Sequence, residues 1–152
     1  MPNSDLDDYE TTYLTYAPGP DPHAWQLGLE RLGDALKEAF PGARARVRQD
    51  DVHGGEPYLS FWATADDGTV FDGAATVHGR DCLYLVDIAA PQAAVFIEWL
   101  RDSFLPKPDS ILFTTELAME AGIETDWHIP AEGGREQIAE ELLHHLEIAE
   151  NA

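Results

Sequence analysis

Cysteine is almost missing from this sequence. Cys82 stands alone among 152 residues, so neither an intramolecular disulfide nor a cysteine-based zinc site forms. A reducing, cytoplasmic setting is the expectation that follows. Long apolar runs are missing as well. No stretch approaches the roughly 20 residues that span a bilayer. Met1 to Glu10 has neither the basic start nor the apolar centre of a signal peptide, so a soluble protein is expected. Positive charge is scarce: nine Lys and Arg face 29 Asp and Glu, for a formal charge of -20. Such a surface repels phosphates and anionic membranes, so neither nucleic acid nor a membrane is an expected partner. It attracts basic proteins and speeds their capture at low salt.

Catalytic signatures are equally sparse. There is no G-x-S-x-G elbow, no phosphate-cradling glycine loop, no dinucleotide fingerprint and no H-E-x-x-H zinc helix. No catalytic, cofactor-binding or metal-binding residue is therefore assigned, and an enzyme is not the expectation. His144 and His145 are adjacent on a helical stretch and point about 100° apart, which does not suit chelation of one ion. Cys82 lies beside Leu83, Leu85 and Val86 and reads as a small buried hydrophobe.

What is present suits a folded domain. Hydrophobic residues make up 44% of the chain and charged residues 25%, enough for a core under a biased surface. Residues 1–8 are polar and read as a flexible N-terminus, with a single domain over 9–152. Tyr9 to Ala17 is rich in Thr and Tyr and reads as a strand. Asp21 as N-cap and Pro22 at the first helical position open a helix to Phe40, with Trp25, Leu29, Leu32, Leu36 and Phe40 on one face. Strands follow at 43–49, 58–65, 69–77 and 81–88, the last the most apolar and expected at the centre of the sheet. A helix over 91–104 carries apolar residues on two faces. A strand at 110–115, a helical turn at 116–121, an extended piece at 125–129 and a helix over 134–149 complete the chain. The fold class is α+β: a mostly antiparallel sheet of five or six strands packed with three helices.

Two patterns carry the functional expectation. Residues 116–152 hold ten carboxylates against Arg135 alone. Within them Glu124, Asp126, Trp127, Glu136, Glu140 and Glu141 are the expected partner-binding residues, with Trp127 the aromatic expected to be partly exposed. Arg44, Arg46 and Arg48 alternate along one strand and so share a face. They pair with carboxylates of neighbouring strands, guard a sheet edge or receive an acidic group of a partner. Trp62 shares a strand side with Tyr58, Ser60 and Thr64, and a helix is expected to cover it. The loop holding Asp50, Asp51 and His53 offers ligand atoms without the spacing of a calcium site.

In character the chain is similar to bacterial immunity proteins and antitoxins, small acidic domains that neutralise basic toxins. That resemblance implies a basic protein as partner. From the first helix onward, the order helix, strand meander, helix, strands, helix also looks like that of type III secretion chaperones, and this implies a homodimer. The strand at Tyr9–Ala17 departs from that order. A small enzyme using Asp50, Asp51 and His53 is the third reading.

Overall fold

The computed structural model describes residues 6–50 and 55–152. Among them, seven strands form one antiparallel sheet: β1 Glu10–Tyr16, β2 Arg44–Asp50, β3 Glu56–Thr64, β4 Val70–Thr76, β5 Cys82–Ala89, β6 Leu112–Thr115 and β7 Trp127–His128. Their order across the sheet is β2-β3-β4-β5-β1-β6-β7. Four helices accompany them: α1 Leu29–Ala39, α2 Ala90–Trp99, α3 Glu116–Glu120 and α4 Arg135–Glu150. The α+β class with a mostly antiparallel sheet is as expected; the strand count is slightly higher. β5 is the central strand, as its apolar run implies. β1 lies between β5 and β6, in the middle of the sheet rather than at an edge. Of the expected flexible segment, Leu6 packs into the core and residues 1–5 fall outside the description.

The meander β2–β5 follows from its turns. Gly68 adopts φ 89°, and Asp67 Oδ1 accepts from Thr69 N at 3.0 Å, closing the β3–β4 hairpin. Gly73 meets a packing need instead. A Cβ there would lie 2.1 Å from the Tyr84 carbonyl oxygen and 2.9 Å from Phe61 Cζ, so β4 and β5 approach this closely only at glycine. On β5, Asp87 has φ 48° at a register break opposite β1, a left-handed bulge position of the kind Asp tolerates.

The sheet register sorts every strand into two faces. Leu59, Phe61, Ala63, Phe71, Ala75, Leu83, Leu85, Tyr13 and Phe113 point to one side and are buried. Leu32 and Leu36 of α1 and Phe96 and Ile97 of α2 belong to the same core. Phe40, Phe61, Phe71, Phe96 and Trp99 form its aromatic centre, with ring centroids 5.3 to 6.1 Å apart. α2 packs on β5 below and on α4 above, so it is buried on both sides, which explains its two apolar faces.

Two boundaries differ from expectation. The first helix begins at Leu29, not Pro22. Gln26 takes φ 51°, which no helix passes through, and buried Asp81 gathers the segment. Asp81 N donates to the Pro22 carbonyl, Asp81 Oδ1 lies 3.0 Å from His23 Nδ1, and Asp81 Oδ2 accepts from Leu27 N at 3.4 Å. Trp25 is fully buried from this loop, with Nε1 donating to the Ser110 carbonyl at 2.7 Å. Its helical spacing from Leu29 and Leu32 was coincidental. The second helix changes after Trp99 to a π-helical turn over Leu100–Phe104, closed by Leu105 N on the Leu100 carbonyl.

Candidate protein-binding surfaces

α4 is held at its start by α2. Glu98 accepts from Arg135 N at 2.8 Å and from the Arg135 guanidinium at 3.0 Å, placing a carboxylate on the helix N-terminus. Nearby, buried Arg101 forms a bidentate pair with Asp102 and donates to the Pro130 carbonyl at 2.8 Å, fixing the approach to α4. Ile138, Leu142, His145, Leu146 and Ala149 face inward. That choice sends Glu136, Glu140, Glu147 and Glu150 to the opposite side, and all are exposed. At 100° per residue these positions fall within about 80° of one another over roughly 21 Å of helix. They form one acidic ridge. Arg135, at its start, is engaged by Glu98.

Trp127 does not stand out from this surface. It lies on the helix side of the sheet, paired with Phe113, and its indole meets His145 edge-on at 4.8 Å and His144 at 6.1 Å. It is half-buried and covers the flank of α4 that carries half-buried Glu141. Glu124 and Asp126 are exposed on the preceding loop, where Asp126 Oδ1 accepts from the Tyr16 hydroxyl at 2.8 Å. Burial, and then this bond, push the Tyr16 hydroxyl pKa up. His145 is fully buried between Phe113 and Trp127, with Nε2 2.8 Å from Thr115 Oγ1. Desolvation, with a smaller contribution from His144, lowers its pKa to about 4. Adjacency of two histidines in the sequence signalled different environments; which of them is buried followed only from packing.

The arginine stripe lies elsewhere. β2 and β7 are opposite edges of the sheet, roughly 29 Å apart at ordinary strand spacing. Arg44, Arg46 and Arg48 are exposed on the face that no helix covers among the described residues, opposite Trp62, Ser60 and Tyr58 of β3. Trp62 is 41% exposed there, which corrects the expectation of a helical cover. All the sheet-packing helices lie on the other face, and local sequence does not encode that choice. With Lys37 from the end of α1, the stripe borders a depression of about 530 Å³, and Asp72 closes it beside Trp62. The structure therefore places Glu136 and Glu140 on the outer side of α4, apart from Arg44, Arg46 and Arg48 on β2, and turns Asp126 to Tyr16 rather than to either group.

Other polar groups have structural tasks. His23 and Asp81 hold the 17–28 loop, a pairing that nothing local in the sequence signals. A depression of about 720 Å³ at one end of the sheet gathers Asp8, Glu10, Asp67, Asp72 and Asp87 around Val70 and Val86. A groove of about 420 Å³ beside Trp99 is lined by Glu98, Asp102 and Arg135, each already engaged in an ion pair. Cys82 is half-buried, and desolvation raises its thiol pKa to about 11, which suits an inert thiol. Among the described residues no group of His, Cys, Asp or Glu has the geometry of a metal site, and no helix is long and apolar enough to cross a membrane. Asp51 and His53 lie outside the described residues.

Comparison with protein-family models, with curated proteins and with solved structures returned no match for this chain.

Proposed function

We propose that this chain is a protein-binding domain that captures a basic protein on the acidic ridge of α4. The observation that carries the reading is the alignment of Glu136, Glu140, Glu147 and Glu150 on one exposed side. Like charges at i, i+4 and i, i+3 destabilise a helix by about 0.2–0.5 kcal/mol per pair. Keeping two such pairs, Glu136–Glu140 and Glu147–Glu150, has a stability cost that a solubilising surface avoids by interspersing bases. Glu124 and Asp126 stand apart from the ridge, on the loop before β7, where Asp126 accepts from Tyr16 on the open face of the sheet. Neutralisation of a basic toxin domain, the task of immunity proteins and antitoxins, is the proposed role.

Capture at low salt tests the reading. The immobilised protein and its Glu136→Gln, Glu140→Gln, Glu147→Gln, Glu150→Gln variant are exposed to the same cell extract. A basic protein retained by the original chain and not by the variant is expected, with an association rate that falls steeply as salt rises. Equal recovery by both, or salt-independent association, overturns it.

A further inference from the structure

β2 is an edge strand seven residues long, and among the described residues β3 is the strand it pairs with. Its outer side presents backbone donors and acceptors to any extended chain. Its two faces differ sharply. Arg44, Arg46 and Arg48 stand on the open face, while Ala43, Ala45 and Val47 alternate with them on the helix side. Ala45 is packed close to Gly33 of α1, but Val47 is 41% exposed at the rim. These three arginines are a third of the nine basic residues of a chain with formal charge -20.

A second copy is a poor occupant of this edge. Two β2 strands paired antiparallel about a two-fold axis would set arginine opposite arginine on the open face, and like charges directly opposite are destabilising. A strand with alternate carboxylates fits instead. Any chain added to the edge shares its pleat, so its alternate side chains recur every ~6.8 Å, the same interval as the arginines. They would stand roughly 4.5–5.5 Å from the arginines, Cβ to Cβ. The intervening side chains would fall beside Ala45 and Val47, where an apolar residue removes Val47 from water. Asp72, beyond Trp62, keeps a broader polyanion from spreading across the open face.

We propose that the free edge of β2 takes up an extended segment of a partner protein as an eighth strand, with carboxylates at alternate positions paired to Arg44, Arg46 and Arg48 and apolar residues between them. This site is distinct from the α4 ridge and takes the opposite charge.

The probe is a labelled nine-residue peptide of alternating Glu and Val. Its comparators are a peptide of the same composition with the glutamates in one block, and a single-stranded oligothymidine. Fluorescence anisotropy measures affinity, and amide hydrogen exchange reports which backbone groups are covered. The alternating peptide is expected to bind at least tenfold more tightly than either comparator and to protect amides within 44–50. Arg46→Glu is expected to weaken it at least tenfold and to restore binding to a peptide whose central glutamate is replaced by lysine. Equal binding of the alternating and blocked peptides, tighter binding of the oligonucleotide, or no protection within 44–50 overturns the proposal. The four-glutamine α4 variant is expected to bind the peptide at least as tightly as the original chain, so this test and that of the ridge fail independently.

Discussion

A histidine buried between Phe113 and Trp127, with Nε2 on the Thr115 hydroxyl and Nδ1 shut away from water, is costly to charge. Desolvation holds the His145 pKa near 4 in the folded chain, against 6.5 for the unperturbed group. Between those values the unfolded chain binds a proton that the folded chain refuses. Stability from this residue is therefore complete above about pH 6.5 and is lost as pH falls towards 4. At 1.36 kcal/mol per pKa unit the loss amounts to about 3 kcal/mol. Urea unfolding at a series of pH values measures it, with His145→Gln as reference, because carboxylate titration is common to both. The original chain is expected to lose about 3 kcal/mol more than the variant between pH 6.5 and 4; parallel profiles would show that His145 accepts its proton in the fold. At this scale the sequence is least legible. It marks Trp62 and Trp127 as conspicuous, yet their exposure depends on which sheet face the helices cover: Trp62 is open where a cover was expected, while Trp127 is half-buried, partly exposed as expected but with its ring against α4.

Elements are far more legible than side chains, because turn chemistry and periodicity act locally. Strands β2 to β5 and helix α4 lie within a few residues of where alternation and caps place them. The exceptions have non-local causes. Pro22 begins no helix because Asp81, across the fold, claims the loop backbone. Gly73 belongs to the same class: nothing in its neighbours announces that β5 passes over it. Gly73→Ala forces the β4–β5 pairing apart or displaces Phe61, and overpacking of this kind costs about 1–3 kcal/mol. Because the colliding atom is the Tyr84 backbone oxygen, the loss is expected at the upper end, read as a lower urea midpoint. Gly68→Ala is the control: it has open space and suffers only its positive φ. A larger loss at Gly68 than at Gly73 would mean the strands are not so closely joined.

Charge organises the whole molecule. An excess of 20 carboxylates makes folding work against self-repulsion, and that repulsion is screened within about 8 Å at physiological salt. Yet the few bases are not spread to relieve it. Arg101 and Arg135 fasten the approach to α4, and three arginines are gathered on β2, at the far edge of the sheet from Trp127. The α4 ridge is thus left without local compensation, which separates the two readings of the acidity. If it serves solubility alone, removing four glutamates changes stability and leaves binding intact. If it serves capture, stability and binding move in opposite directions. The Glu136→Gln, Glu140→Gln, Glu147→Gln, Glu150→Gln variant is expected to gain about 0.4–1 kcal/mol by relief of its two like-charge pairs. Raising salt from 0.05 to about 0.5 M is expected to stabilise the original chain more than the variant, since screening relieves the same repulsion. Thermal melts at both salt concentrations, run beside association rates for the captured partner, supply both halves. A variant that is more stable and slower to associate supports the ridge as a binding surface. One that is more stable and equally fast assigns the acidity to solubility, and one that is less stable would mean that these glutamates make favourable contacts in the folded chain.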